Sequence, residues 1–141
     1  MPNTDPAFVR DLSEEKIEAL VEMMYLAAAS DGELGDEERK AFAVNAEKLT
    51  GRLITGDKLD ALVKRAEQQL EASGRDARLA AVKERLPDHG ARKLALSLAI
   101  QITAADGIVR TSERELIMDT ANALDIDVDI AADMVRDILR K

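Results

Sequence analysis

Residues 29–42 read ASDGELGDEERKAF, and residues 104–117 read AADGIVRTSERELI. The two stretches align without a gap, and both contain an Asp-Gly pair followed by a Glu-Arg pair. The matching apolar positions around them predict that each copy is a helix, a sharp corner at the glycine, and a second helix. A third predicted helix follows each pair. Because two such long copies cannot form a repeat array, the chain reads as two pseudosymmetric halves of one bundle.

Outside these corners, nearly every segment has the apolar period of a helix. The two most apolar predicted helices, residues 13–30 and 90–105, are expected at the centre of the bundle. The other predicted helices cover residues 36–49, 57–72, 76–86, 112–124 and 129–139. No linker rich in Pro, Gly or Ser divides the chain. The prediction is therefore an N-terminal tail at residues 1–12 and one all-α domain of about seven helices at residues 13–141.

The composition of the 141 residues supports helices and excludes several classes of protein. Hydrophobic residues make up 46% but aromatic residues only 2%, so Ala and Leu replace the residues that strands prefer. With no Cys and a single His, the chain has no disulfide, no thiol nucleophile and no Cys/His zinc site. A net charge of −8 argues against sequence-independent binding of nucleic acid, which requires neutralisation of phosphates.

No targeting signal or catalytic motif is recognisable. The first residues do not combine a basic start with an apolar run, and the longest apolar stretch, residues 94–105, is well short of the roughly 20 residues of a membrane span. We therefore expect a cytoplasmic protein without a transmembrane segment. The sequence has no nucleophile–base pattern, phosphate loop or cofactor fingerprint, so a non-enzymatic protein is expected. His89 is interpreted as an exposed or capping residue.

Charge is distributed unevenly along the chain. The net charge is negative over residues 1–57 and 94–141 but positive over residues 58–93. This pattern favours internal charge complementarity, and the alternative is that the two acidic ends meet on one surface. The basic residues near the predicted turn at 87 are interpreted as a solvated face or as a docking patch for an acidic partner or lipid headgroup: Lys83, Arg85, Arg92 and Lys93.

The first corner is the densest acidic segment, with five acids in DGELGDEE at residues 31–38. Its acids are candidate ligands of a hard divalent cation, Ca²⁺, Mn²⁺ or Mg²⁺, which prefers oxygen donors. The second corner, residues 106–113, retains an Asp and a Glu at the same spacing but has Ile108 in place of Glu33. The candidate metal ligands of the first corner are Asp31, Glu33, Asp36 and Glu38.

The same acids also fit a purely structural interpretation. Asp36 is a predicted N-cap, the acids after it suit a first helical turn, and Ser112 with Glu115 fits a capping box. Neither the first corner nor the D-x-D-x-D run at residues 125–129 has the glycine and glutamate positions of an EF-hand. The run at 125–129 is interpreted as a polar loop that ends in an N-cap.

The Ala-rich helix end, the AxDGElxxxE pattern and its second occurrence as AADGIVRTSERELI resemble the TerB-like family, which includes tellurite resistance proteins and domains of DnaJ-like co-chaperones. The resemblance covers roughly residues 15–139. It implies a cytoplasmic helical bundle with a role in tellurite or chemical stress. It also implies that acids of the two Asp-Gly motifs form a divalent-cation site, which adds Asp106 and Glu113 of the second corner to the candidate metal ligands.

Two functions are therefore expected to compete. The first is a cation-binding stress protein that acts through an unidentified protein partner. The alternative is a metal-independent interaction or dimerisation module, whose acids serve only as caps and surface groups. Peripheral association with a membrane stays open under both hypotheses.

Overall fold

The computed structural model describes residues 14–29, 34–52, 54–105 and 107–140. This part of the chain consists of seven α-helices and contains no strand. The helices are α1 (Glu14–Ala28), α2 (Asp36–Leu49), α3 (Gly56–Ser73), α4 (Arg75–Arg85), α5 (His89–Thr103), α6 (Thr111–Ala123) and α7 (Val128–Leu139). The predicted all-α bundle is confirmed, and each predicted helix begins and ends within about two residues of the observed one where both ends are described.

Helices α1 and α5 form the centre of the bundle and make the most extensive contacts with each other. Nine residues of each helix are buried, on nearly every face. This burial follows from their composition, because a helix that is apolar on most sides can be stable only when other helices surround it. The prediction that these two helices are central is confirmed.

The other helices surround this pair and bury one face each. Helices α3 and α4 pack against α1, helices α6 and α7 pack against α5, and α2 contacts both central helices. Helix α3 buries Leu59, Val63 and Ala66, spaced three or four residues apart, and leaves its other faces exposed. The C-terminal ends of α1 and α5 therefore lie beside α2 and α6.

The core contains few aromatic rings. Tyr25 of α1 and Phe42 of α2 meet edge to face, with ring centroids 6.1 Å apart and an interplanar angle of 88°. Phe42 and its counterpart in the second copy, Ile117, are both buried, as are Ala46 and Ala121. The two copies thus bury these two pairs of positions alike, and the pseudo-twofold relation of the whole halves stays a prediction.

The corner glycine of the second copy has the predicted conformation. Gly107 has φ of 86°, the left-handed region in which a side chain is strained, and its amide donates to the carbonyl oxygen of Ala104 at 2.8 Å. Its counterpart in the first copy, Gly32, lies outside the described residues, as does the N-terminal tail predicted at residues 1–12.

Candidate functional site

Helices α2 and α6 begin with the same arrangement. Gly35 and Arg110 are the N-cap residues, with φ and ψ of −71° and 173° and of −76° and 163°. The amide of Gly35 donates to Oε1 of Glu38 at 2.8 Å, and the amide of Arg110 donates to Oε1 of Glu113 at 2.8 Å. Each glutamate therefore accepts a hydrogen bond from an amide that has no partner within its own helix.

The sequence-based assignment of these caps was wrong. Asp36 is the first helical residue rather than the N-cap, and α6 begins at Thr111, so that Glu113, not Glu115, is the third helical residue. The prediction relied on an Asp, Ser or Thr side chain at the N-cap. In both copies the N-cap is a residue without such a side chain, and only the glutamate half of the capping box is present.

The predicted metal ligands are only partly described. Asp36 and Glu38 are exposed in the first turn of α2, and Glu113 is partly buried at the start of α6. Asp31, Glu33 and Asp106 lie outside the described residues. Within residues 14–29, 34–52, 54–105 and 107–140, no group of three or more Asp, Glu, His or Cys side chains is arranged to hold a metal ion.

Glu38 and Glu113, however, line the same groove. This groove, here called the corner groove, has a volume of about 470 Å³ and lies between the starts of α2 and α6 and the ends of α1 and α5. Its other lining residues are mostly small or apolar: Ala27, Ala28, Leu34, Ala41, Phe42, Asn45, Ile102, Thr103 and Ala105. The carboxyl ends of α1 and α5 carry partial negative charge, which favours a cation there, whereas the starts of α2 and α6 carry partial positive charge, which opposes it.

The two corner glutamates, Glu38 and Glu113, differ in whether a cationic group lies close to the carboxylate. Oε1 of Glu113 lies 3.6 Å from Nη1 of Arg110, whereas Glu38 has no cationic group within 4.0 Å among the described residues. Asp36 and Glu37 likewise have no ion pair in the described part of the chain. No described residue donates a hydrogen bond to Oε2 of Glu38, so within the described part of the chain the first copy retains an unneutralised negative charge at the corner groove.

Most of the other acids near the centre of the bundle are paired. Glu14, Glu18 and Glu22 follow one another at four-residue spacing along α1, and we call them the α1 carboxylate row. Oε2 of Glu14 lies 2.7 Å from Nζ of Lys58, and Oε1 of Glu18 lies 3.4 Å from Nη1 of Arg65. Both bases belong to α3. The row therefore pairs the acidic start of the chain with its basic middle, as the hypothesis of internal charge complementarity requires.

Glu22 is the buried end of this row, and its structural role was not predicted from the sequence. Its side chain is 5% exposed, and it accepts hydrogen bonds from Nε and Nη2 of Arg78 at 2.6 and 2.9 Å and from Nη2 of Arg85. The hydrogen bond to Glu22 raises the pKa of Arg78 above its ordinary value, despite an opposing contribution from burial. The available signal was that Glu22 lies between apolar residues of α1 and continues the four-residue spacing of Glu14 and Glu18.

Three of the four basic residues near Pro87, Lys83, Arg85 and Arg92, are also engaged within the bundle. Nζ of Lys83 lies 2.8 Å and Nη1 of Arg92 lies 3.8 Å from Oδ2 of Asp125. The hydrogen bond from Lys83, with the positive charges of Lys83 and Arg92, lowers the pKa of Asp125. Together with the contact of Arg85 to Glu22, these pairs favour internal complementarity over a free basic docking patch.

The other isolated polar candidates have local structural positions. Asp127 is the N-cap of α7, and its Oδ1 accepts from the amide of Asp129 at 2.9 Å. The predicted N-cap is therefore present at Asp127, and residues 128 and 129 of the run already belong to α7. His89 is exposed as the first residue of α5, directly after the N-cap Asp88.

Arg75 connects the two halves beside the corner groove. Its Nη1 donates to the carbonyl oxygen of Leu26 in the last turn of α1 at 2.7 Å, and its Nη2 donates to Oγ1 of Thr120 in α6 at 3.1 Å. Burial lowers its pKa, and no carboxylate of the described residues lies within 4.0 Å of its guanidinium. Sequence reasoning missed this residue because neither partner is close to it in the chain.

The fold and the groove together define the class of protein. It is an all-α single-domain bundle in which two helices, each capped by a glutamate, begin at one groove. A family model described as tellurite resistance protein TerB matches residues 17–134. The chain therefore belongs to the TerB family, as its sequence resemblance predicts. Comparison with curated proteins gives no match, and neither does comparison with solved structures. In the described part of the chain, the helices are too short or too polar to cross a bilayer.

Proposed function

We propose that this TerB family member is a non-enzymatic cytoplasmic protein that binds a divalent cation at the corner groove and acts through a protein partner in tellurite or chemical stress. The observation that carries the proposal is that Glu38 and Glu113, which are 75 positions apart in the sequence, line one groove. The family supplies the connection to tellurite. The groove supplies a place where carboxylates from both halves can act on one ligand.

The chemistry of this groove suits a hard cation. Glu38 and Glu113 each use Oε1 as a cap and leave a second carboxylate oxygen, and oxygen donors favour Ca²⁺, Mn²⁺ or Mg²⁺ over softer metals. Asp36 is also exposed at this helix start and has no ion pair within the described residues. The proposal includes Asp31, Glu33 and Asp106 as further ligands, on the basis of the sequence pattern alone.

A cation bound in this position would act on both halves of the bundle. It would neutralise the unpaired charge of α2 and connect the first turns of α2 and α6, which favours one packing of these helices. By mass action, a cation that binds only the folded state stabilises it by about 2.7 kcal/mol at a concentration 100 times the dissociation constant. A partner that recognises this packing would then respond to the cation.

Calorimetric titration of the whole chain with CaCl₂, MnCl₂, MgCl₂ and ZnCl₂ tests the proposal. We expect binding of at least one of the first three cations, a rise in the thermal unfolding midpoint, and weaker binding in Asp31→Asn and Glu38→Gln. Glu71→Gln is the matched control, because it removes an exposed carboxylate of α3 outside the groove. Absence of both heat and thermal shift with all four cations would contradict the proposal.

The capping geometry favours one second candidate, a metal-independent interaction or dimerisation module. Glu38 and Glu113 each have a complete structural explanation as acceptors for the N-cap amides, without any bound ion. Such a module would show no response to cations. It would show self-association in sedimentation, or binding of a partner in the presence of EDTA.

A further inference from the structure

A second groove continues the corner groove along α2. It has a volume of about 340 Å³ and shares Asn45 and Ala105 with the corner groove. Its remaining lining residues are Lys48, Leu49, Ser97, Gln101 and Ile138. Together the two form one channel, here called the α2–α5 channel, which follows a single face of α2 from Glu38 to Leu49.

The bottom of this channel combines small and apolar residues with polar ones. The α2 residues that line it recur at helical spacing, and the adjacent residues of α5 include Ile102, Ser97 and Gln101, with Ala105 just after the end of the helix. Ala41 and Ala105 are exposed, so no large side chain of the described residues covers the channel at these positions. A surface of this shape can accept the apolar side chains of a helix at i, i+3, i+4 and i+7.

The two ends of the channel carry opposite charge. Glu38 and Glu113 lie at one end, and Lys48 lies at the other. Neither Glu38 nor Lys48 forms an ion pair with the described residues. The charges are ten residues apart along α2, which corresponds to about 15 Å, or nearly three helical turns.

We propose that the α2–α5 channel binds an amphipathic helix of a protein partner, antiparallel to α2. The helix would place apolar residues on the channel bottom, basic residues of its C-terminal turn near Glu38 and Glu113, and acidic residues of its N-terminal turn near Lys48. This charge order is also the one that a helix macrodipole favours. The inference rests on the proposed function in requiring a protein partner, but it does not require the cation.

The test uses a fluorescent, end-blocked peptide of about 15 residues. The peptide has Leu at i, i+3, i+4 and i+7, Glu in its first turn and Arg in its last turn. A reversed peptide of the same composition exchanges the Glu and Arg residues. In EDTA, fluorescence anisotropy should show at least roughly tenfold tighter binding of the first peptide than of the reversed one.

Two protein variants show whether the peptide occupies the channel. Ala41→Arg places a bulky cation in the channel and should weaken binding by at least roughly tenfold. Ala80→Arg makes the same change at an exposed position of α4 and should leave binding unchanged. Lys48→Glu should weaken binding of the first peptide. A version of that peptide with Lys in place of the Glu in its first turn should restore binding to this variant.

Absence of binding, equal affinity for the two peptides, or equal binding by wild type and Ala41→Arg would overturn the proposal. Self-association that is lost in Ala41→Arg would instead identify a second copy of the chain as the occupant, and would also overturn it. The two proposals fail separately. Peptide binding in EDTA without any response to cations would contradict only the proposed cation binding. A response to cations without peptide binding would contradict only the proposed helix binding in the channel.

Discussion

The α1 carboxylate row and the first turn of α2 each contain three acids, but their surroundings are opposite. In the row, Glu14, Glu18 and Glu22 each contact a base of α3 or α4, and their exposure falls from 65% to 25% to 5%. In the first turn of α2, the three acids at residues 36–38 are exposed and have no ion pair among the described residues. The comparison teaches that one part of the negative charge stabilises the bundle, whereas the other part remains available for a ligand.

The largest expected effect is at the buried end of the row. Glu22→Gln removes the charge that both Arg78 and Arg85 contact, and leaves two partly buried guanidinium groups without a counter-ion. We expect the free energy of unfolding to fall by about 3 kcal/mol in urea titrations. Glu37→Gln, in the first turn of α2, should change it by less than about 0.5 kcal/mol. Equal losses in the two variants would contradict the division into paired and available acids.

A smaller loss is expected for Arg75, the base that connects the last turn of α1 to α6. Arg75→Met removes the hydrogen bonds to Leu26 and Thr120 but retains much of the apolar side chain. We expect the variant to lose about 2 kcal/mol of stability, because hydrogen bonds to a charged group each contribute roughly 1.5–3 kcal/mol but the variant no longer incurs the free-energy cost of burying a charge. Chemical denaturation measures this change. Arg140→Met, at the exposed end of α7, is the control, and a comparable loss there would argue against a connecting role.

The capping role of the corner glutamates predicts an intermediate effect. Glu38→Ala removes the acceptor for the amide of Gly35 and should cost about 1 kcal/mol in thermal or urea unfolding. Glu38→Gln keeps an acceptor oxygen and should be close to the wild type in stability, even though it removes the charge. If both variants lost the same stability, charge rather than capping would be the main contribution of Glu38.

The smallest effect is expected at the exposed end of the row and depends on pH. The hydrogen bond from Lys58 lowers the pKa of Glu14 below its ordinary value of 4.5. A lowered folded-state pKa means that the contribution is present above pH 4.5 and is lost as the pH falls through the folded value. Glu14→Gln should therefore be slightly less stable than the wild type at pH 6 and equal to it at low pH.

Urea titrations at several pH values check this expectation, and 0.5 M NaCl should reduce the difference at pH 6 because the pair is exposed to salt. Glu37→Gln is the matched control, because it removes an exposed carboxylate that has no ion pair among the described residues. A difference that persisted at low pH, or that was insensitive to salt, would assign the effect to packing instead of charge.

Much of the fold could be predicted because the residues that determine where a helix forms are close together in the sequence. The apolar period of α1 and α5, and breaks such as Gly107 and Pro87, depend on residues only a few positions apart. The N-caps were less predictable, since Gly35 and Arg110 lack the usual capping side chains and only Glu38 and Glu113 indicate the true helix starts. The role of Glu22 was not predicted because its partners, Arg78 and Arg85, belong to another helix.

The sequence by itself determined the helical elements, their apolar faces, the two corners and the membership of the TerB family. Only the tertiary structure decided which charges meet, because ion pairs and grooves depend on distances between helices that are remote in the chain. Packing brings Glu22 between two arginines, leaves the acids at 36–38 without cations in the described region, and places Glu38 and Glu113 at one groove. Local periodicity specifies a helix face, but its neighbour is specified by how all the faces pack together.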